Sequence, residues 1–339
     1  MRKRDVRYEF IRIFSMILVI TAHALAAMFP QYAETSLAGL MLSRLVCMSN
    51  GLFFMISGKF ALQVCCTTSN DYKTYYLKRF GSLGIPVLVC MLLRSMFNVG
   101  GWYPDHFLSA AFRAEHIQNV FSGFATSEYW FLYKLVGFLA IAPFVGKMLR
   151  QATKAELLWF LGLGMFWNAL NTYLPAVGIS FSWEYPLGGC FVLFAMGYAI
   201  EKIAETQKEE NLLLLLGCIS FAVSILLERI GWGAGVNDLA PTFAISVAAL
   251  YVLLKRVYRP GGKLDTVVIK LGGLTMSVYL LHMIVLYTCT HYIPQWPLHL
   301  QIVTLILMTL VVTLALSYLL EKTVFAGLKW LYWKATRLR

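Results

Sequence analysis

The sequence predicts an all-α integral membrane protein, a bundle of about ten transmembrane helices with both termini in the cytoplasm. Three observations predict this class. The 339 residues are 59% hydrophobic and only 14% charged, with a mean hydropathy of +0.67, which excludes an ordinary soluble domain. Apolar runs long enough to cross a bilayer recur along the whole chain. Lysine and arginine residues mark every second loop, as expected for cytoplasmic loops.

The predicted spans follow the apolar runs in order, and the third and eighth are short. They are 10–29, 38–66, 82–98, 129–147, 156–174, 183–200, 212–230, 239–254, 267–289 and 300–320. No soluble-looking block separates them. We therefore predict a single membrane-embedded domain over residues 1–339, with a transmembrane core at 10–320 and a basic cytoplasmic tail at 321–339.

The basic loops give the orientation, because Lys and Arg are enriched on the cytoplasmic side of membrane proteins. The Lys and Arg residues cluster before the first span, after the second, fourth and eighth spans, and after the tenth. The clusters are Arg2, Lys3, Arg4 and Arg7; Lys73, Lys78 and Arg79; Lys147, Arg150 and Lys154; Lys255, Arg256, Arg259 and Lys263; and Lys322, Lys329, Lys334, Arg337 and Arg339. The net charge of +12 is thus interpreted as a cytoplasmic rim facing anionic lipid, and no nucleic-acid partner is expected.

The cysteines indicate neither a disulfide framework nor a metal site. Most of them fall inside the predicted spans, without the spacing of metal ligands, and are typical of small packing residues. They are Cys47, Cys65, Cys66, Cys90, Cys190, Cys218 and Cys289.

Arg12 and His23 are eleven residues apart in the first span. Eleven steps of about 100° complete three turns plus roughly 20°, so both side chains project from one helix face, some 16 Å apart along the axis. Charged and titratable groups are costly inside a membrane and indicate a function by default. The alternative is an arginine that reaches the headgroups and a histidine that bonds a neighbouring helix.

Three more basic residues are predicted near the cytoplasmic side. Lys59 follows Ser57-Gly58 at the end of the second span, and Lys78 and Arg79 lie in the loop that follows. With Arg12 they are predicted to line an inward-facing pocket suited to an anionic, phosphate-bearing cofactor. The alternative is that they are anchors that only set the topology.

A second intramembrane imidazole, His282, lies about fifteen residues into the ninth span, and His23 lies about thirteen residues into the first. Both spans are predicted to run outward, so the two rings are expected at similar depths in the outer half of the membrane. The other histidines fall in predicted outer loops and are expected to be solvated: His106, His116, His291 and His299.

Five fragments between residues 9 and 282 occur in an order that resembles the acyltransferase 3 family of integral membrane acyltransferases. The first fragment is an acidic residue followed by an arginine and a histidine with ten residues between them. Then come Phe-Phe-x-x-Ser-Gly, a basic pair leading to Ile-Pro, Trp-Phe-Leu before a proline, and Ser-x-Tyr-Leu-x-His. Here they are Glu9 with Arg12 and His23; Phe53–Gly58; Lys78 and Arg79 with Ile85 and Pro86; Trp130–Leu132 with Pro143; and Ser277–His282. Two positions depart from the pattern: Glu128 stands where a histidine or polar residue is common, and Lys59 replaces an aromatic residue.

The resemblance implies O-acyl transfer, usually of acetyl, from cytoplasmic acyl-CoA to a hydroxyl of a cell-surface or lipid-linked carbohydrate. His23 is expected to be the general base, since imidazole titrates near neutral pH; an acyl-imidazole intermediate is an alternative. Arg12, steadied by Glu9, is expected to hold the donor. The implied supporting residues are His282 for catalysis, Ser57, Lys59, Lys78 and Arg79 for the donor, and Glu128, Trp130 and Tyr279 for the substrate.

Two other classes of function stay open on the sequence alone. A secondary transporter or flippase of a polar solute would also have about ten spans and buried charges, but no clear inverted repeat is visible. A non-catalytic scaffold for glycan synthesis is the third. The expected setting is a multi-pass protein of a bacterial plasma membrane, with lipid, acyl-CoA and glycan as partners, a homo-oligomer left open, and no metal.

Overall fold

The computed structural model describes residues 5–31, 36–98, 101–102, 110–123, 127–181, 187–232 and 239–337. Several residues named above lie outside this described part of the chain: Arg2, Lys3, Arg4, His106 and Arg339.

The described residues are predominantly helical. The α-helices are α1 Val6–Met28, α2 Leu37–Ala61, α3 Ser69–Arg79, α4 Ile85–Met96, α5 Ala110–Gln118, α6 Trp130–Gln151, α7 Lys154–Ala176, α8 Cys190–Ile203, α9 Gln207–Arg229, α10 Pro241–Val257, α11 Asp265–Thr290, α12 Leu298–Lys322 and α13 Val324–Thr336. Phe80–Gly84 and Asn119–Gly123 are π-helical. Two two-residue strands, Phe97–Asn98 and Gly101–Trp102, pair antiparallel.

Seven helical stretches in the described part of the chain are long and apolar enough to cross a membrane. They are Val6–Met28, Leu37–Ala61, Ser69–Met96, Trp130–Gln151, Gln207–Arg229, Asp265–Thr290 and Leu298–Thr336. The predicted all-helical membrane class is confirmed. The count of ten spans, the cytoplasmic termini and the single domain remain predictions.

Several helix ends differ from the predicted span boundaries because of local side-chain hydrogen bonds. The second helix ends at Ala61 rather than at residue 66, because the Arg150 guanidinium binds the carbonyl oxygens of Leu62 at 2.8 Å and Val64 at 2.6 Å and caps the chain there. The third helical stretch begins at Ser69, well before residue 82, because Thr68 and Asp71 form a capping box.

The sixth predicted span and the tail also differ from expectation. Helix α8 begins at Cys190, because Gly189 has a φ of 59° and its amide and carbonyl are held by the Asn168 side chain at 2.5 and 3.3 Å. The predicted tail contains helix α13. Its Tyr332 hydroxyl donates to the Leu77 carbonyl at 3.0 Å, which anchors α13 to helix α3.

The chain divides into two compact units, here called the first and second units. The first comprises Met1–Ala22, Phe29–Cys65 and Gly137–Gly272; the second comprises His23–Met28, Cys66–Val136 and Gly273–Arg339. Helices α1, α6 and α11 each contribute residues to both.

In the first unit, α2 packs along α8 with the two backbones in contact. A methyl group at Gly58 would collide with the carbonyl oxygen of Phe194, and one at Gly197 would collide with that of Met55. Small residues allow membrane helices to approach this closely. Gly58 is the glycine of the Phe-Phe-x-x-Ser-Gly motif, so that residue has a packing reason to be a glycine.

Gly58→Ala is therefore expected to lower the free energy of unfolding by about 1–3 kcal/mol, because the added methyl forces two helix backbones apart. Gly162→Ala, in helix α7, is the matched control, since a methyl there meets nothing within 4 Å. Thermal unfolding of the purified protein in detergent measures both. Equal melting temperatures for the two variants would contradict the close packing of α2 on α8.

In the second unit, the C-terminal end of α1 packs between α11 and α12. The cluster is formed by Ala24, Val285, Leu286, Cys289 and Leu305, all buried. This packing places His23, the residue that precedes Ala24, against helix α11.

Candidate functional site

Two imidazoles face each other in the second unit. The ring centroids of His23 and His282 are 5.2 Å apart, and the ring planes are inclined by 46°. His282 is only 1% exposed, whereas His23 is partly accessible. The structure thus brings together two residues that the sequence placed only at a similar depth.

The hydrogen bonding of His282 identifies its tautomer. Its Nδ1 lies 2.5 Å from the carbonyl oxygen of Tyr279. A carbonyl oxygen can only accept, so Nδ1 carries the proton and Nε2 of the neutral ring holds a lone pair. That Nε2 atom is buried and has no hydrogen-bond partner within the described part of the chain. A buried polar atom without a partner is rare and costly, and such atoms occur at functional sites.

The segment before helix α6 is attached to α11 beside this pair. The Tyr279 hydroxyl donates to the Glu128 carbonyl oxygen at 2.8 Å, and the Tyr129 hydroxyl donates to the Leu280 carbonyl oxygen at 2.7 Å. The Phe131 ring packs on the Tyr279 ring at 5.4 Å. Predicted substrate residues Glu128 and Tyr279 therefore lie together next to the imidazoles.

A buried ion pair holds the Glu128 side chain. Arg94 Nε lies 2.6 Å from Glu128 Oε1, and Arg94 Nη1 donates to the Phe97 carbonyl oxygen at 2.9 Å. The arginine and glutamate side chains are 18% and 7% exposed. The Glu128 carboxylate also interacts electrostatically with the His23 imidazole. Arg94 lies inside the third predicted span, and its partner, 34 residues further along the chain, could not be identified from the sequence.

Trp130, the remaining residue of the predicted substrate set, begins helix α6. Its ring meets Phe131 edge-on with centroids 6.4 Å apart, and the Lys134 ammonium lies 5.2 Å from its centroid. A cation over the face of an indole is attracted by the ring quadrupole. Trp130 thus connects the aromatic cluster around Tyr279 to a lysine one turn along the helix.

Arg12, in the first unit, is paired with the acidic residue that the sequence placed beside it. Its Nη1 lies 2.9 and 3.1 Å from the two carboxylate oxygens of Glu9. The guanidinium carbon lies 5.5 Å from the centroid of the Phe60 ring. Glu9 is buried, so the pair holds the guanidinium in one position.

Lys59 belongs to a charge cluster around Glu201 that sequence reasoning missed. The Glu201 carboxylate accepts from Lys255 at 3.0 Å, the Tyr8 hydroxyl at 2.9 Å and the Tyr251 hydroxyl at 3.4 Å. It also forms an ion pair with the Lys59 ammonium at 3.3 Å. Two ammonium groups share one carboxylate, so the cluster keeps one net positive charge. The signal available in the sequence was Glu201 itself, an acidic residue directly after the sixth predicted span.

The other predicted donor residues are distributed between the units. Ser57 lies half-buried on α2 in the first unit. Lys78 and Arg79 end helix α3 in the second unit, where Lys78 is exposed and the Arg79 guanidinium lies 5.4 Å from the Tyr75 ring centroid. Their part in donor binding remains a prediction.

No group of three or more histidine, cysteine or acidic side chains that could hold a metal ion lies within the described ranges. Within the same ranges, no disulfide joins any two of the seven cysteines.

A family model described as an acyltransferase domain matches residues 5–322. The match includes both imidazoles, Arg12 with Glu9, and the Glu201 cluster. No curated protein and no solved structure matches the chain.

Proposed function

Because the chain belongs to the acyltransferase 3 family over residues 5–322, and is thus a multi-pass membrane acyltransferase, we propose that it is an O-acyltransferase. The proposed donor is cytoplasmic acyl-CoA, with acetyl as the acyl group, and the proposed acceptor is a hydroxyl of a cell-surface or lipid-linked carbohydrate. The proposed location is the plasma membrane of a bacterium.

The observation that carries this proposal is the facing pair of His23 and His282, with its buried and unpartnered Nε2. An alcohol attacks a thioester readily only when a base removes its proton, and a neutral imidazole is suited to that task at physiological pH. A site buried from water also protects the thioester from hydrolysis.

In the proposed reaction the acyl group passes from sulfur to oxygen, and one proton passes from the acceptor hydroxyl to the CoA thiolate by way of an imidazole. His23, supported by His282, takes the proton of the acceptor hydroxyl, and the oxygen forms a bond to the thioester carbonyl carbon. The carbon–sulfur bond breaks, and the departing CoA thiolate takes the proton from the imidazolium. The products are an ester and free CoA, with no net proton release. Direct transfer of this kind needs no acyl-enzyme intermediate.

Glu128 and Tyr279 adjoin the imidazole pair, and with Trp130 they are proposed to contact the acceptor. The Arg94–Glu128 pair holds this wall in position, since Glu128 is joined to α11 through its carbonyl and to α4 through its carboxylate.

Arg12, Ser57, Lys59, Lys78 and Arg79 are proposed to bind the donor. A guanidinium recognises phosphate or carbonyl oxygens through a rigid fork of donors. Arg12 is steadied by Glu9 for such a role, and the Glu201 cluster retains one positive charge.

Two experiments test the activity. Purified protein incubated with radiolabelled acetyl-CoA should transfer label to a carbohydrate fraction extracted from the source membranes. Glycan composition analysis of a deletion strain should show the loss of one ester, which the wild-type gene restores and the His23→Ala gene does not. Label that stays in acetyl-CoA, together with unchanged ester content in the deletion strain, would overturn the proposal.

Donor binding gives a further prediction. Arg12→Lys keeps the charge but loses the planar fork, so the apparent KM for acetyl-CoA should rise by about tenfold or more. Arg79→Ala should also raise it, and this effect should shrink as salt rises, because contacts near the surface are screened. Steady-state kinetics at two salt concentrations measures both effects. Changes confined to the KM of the glycan would show that these residues do not bind the donor.

A further inference from the structure

A separate cleft lies within the first unit, between helices α7, α8, α9 and α10. Its volume is about 370 Å³, within the range of small-molecule sites. Apolar side chains form nearly all of its lining, including Leu158, Leu161, Met196, Ile200, Leu213 and Ile245. None of the residues predicted from the sequence for catalysis or donor binding lines it.

The cleft is elongated and apolar except at one end. Its lining on α7 runs from Lys154 to Met165, a rise of about 16 Å along the helix. Met165, Met196 and Ile245 line the far end. A long and apolar space of this kind fits an aliphatic chain rather than a compact polar molecule.

The near end carries one charge of each sign. Lys154 and Glu209 form an ion pair there, and their side chains are 45% and 35% exposed. Both stand in the first turns of their helices, α7 and α9. The N-termini of both helices are already capped by carboxylates, those of Glu156 and Glu209, so the Lys154 ammonium is the cationic group that the cleft offers at this end.

The cleft also opens on the outer surface of the helices. Leu158, Leu212 and Leu216 line it and are each roughly half-exposed. In a multi-pass membrane protein, apolar side chains exposed on helix surfaces meet lipid hydrocarbon. A lipid chain can therefore enter the cleft from the bilayer.

We propose that this cleft binds one acyl chain of a phospholipid with a zwitterionic phosphoethanolamine head group. The phosphate then lies at Lys154, and the ammonium lies at Glu209. A purely anionic head group would bring its charge beside Glu209, where nothing on the lipid offsets the repulsion. This proposal rests on the membrane location and not on the acyl-transfer reaction.

Native mass spectrometry of the purified protein tests it with two lipid probes, phosphatidylethanolamine and phosphatidylglycerol, added in equal amounts. We expect a preference of about tenfold for phosphatidylethanolamine, which corresponds to about 1.4 kcal/mol. Glu209→Gln should remove this preference, because the ammonium loses its partner while the phosphate site remains. Equal binding of both lipids by the wild-type protein would overturn the assignment of the head group.

A pair of tryptophan variants separates the cleft from ordinary lipid contact. Leu213→Trp fills the cleft and should lower bound phosphatidylethanolamine about tenfold, whereas Leu215→Trp is the control, since Leu215 is exposed on the same helix but outside the lining. Met165→Trp is the second filling variant, in case Leu213→Trp does not fold. Equal lipid binding by the filling and control variants would show general surface lipid only and overturn the proposal.

Discussion

His23→Ala should lower acyl transfer from acetyl-CoA by about two to four orders of magnitude, the usual contribution of a general base. The physical reason is that the acceptor hydroxyl loses the imidazole that takes its proton, while acyl-CoA binding is retained. Initial rates of label transfer at saturating acetyl-CoA measure the effect. The KM for acetyl-CoA should change little, which separates lost chemistry from lost donor binding.

The control for this substitution is His291→Ala, which removes an exposed imidazole outside the site. It should leave the rate unchanged. If His23→Ala keeps more than a tenth of the wild-type rate with normal expression, the residue is structural and the proposed base is wrong.

His282→Ala tests whether the two imidazoles act as a unit. We expect a smaller loss than for His23→Ala, because His282 is proposed to accept a hydrogen bond at Nε2 only once His23 has taken the proton, and not to take the acceptor proton itself. The double variant should be no slower than His23→Ala, since groups that act together give non-additive losses. A His282→Ala loss larger than that of His23→Ala would instead assign the base to the buried Nε2.

The second large effect is on stability. Arg94→Ala should lower the free energy of unfolding by about 3–5 kcal/mol, because it leaves the Glu128 carboxylate buried without its partner. The double variant Arg94→Met/Glu128→Gln should recover most of this loss, since both charges are then absent. Chemical or thermal unfolding in a matched detergent measures the difference.

Lys154→Ala is the matched control for the Arg94 substitution. It also breaks an ion pair, but that pair is exposed, and exposed pairs contribute about 0–1 kcal/mol. If Arg94→Ala and Lys154→Ala cost the same, the Arg94–Glu128 pair does not hold the segment before α6 in place. If the double variant regains stability but not activity, Glu128 has a role in the reaction beyond packing.

Part of the candidate site was predictable because it depends on local spacing. Arg12 and Glu9 are three residues apart on one helix, so the observed ion pair follows from helical geometry alone. The similar depths of His23 and His282 followed from counting residues along two spans predicted to run in the same direction. That the two rings are 5.2 Å apart did not follow, because depth does not tell which helices are neighbours.

The intramembrane charges, too, were predictable from the sequence only in part. Arg44, Lys59 and Arg94 fall inside predicted spans, where a charged side chain is costly unless it is paired. That cost is visible in the sequence alone. The sequence does not predict which residues pair with them. The partners are Glu228, Glu201 and Glu128, which lie 184, 142 and 34 residues further along the chain. Only the packing of helices brings these side chains together.

The sequence by itself determined that the chain is a membrane protein, that it is helical, and to which family it belongs. Composition, the length of apolar runs and motif order are properties of the chain alone. Tertiary structure decided where several helices begin and end, as at Ala61, where the Arg150 side chain binds the carbonyl oxygens of Leu62 and Val64 just beyond the helix end. It also decided which tautomer His282 adopts and where the cleft beside Lys154 opens. The physical reason is that hydropathy and helical period are local quantities, whereas hydrogen-bond partners, ion pairs and cavities depend on contacts between residues distant in sequence.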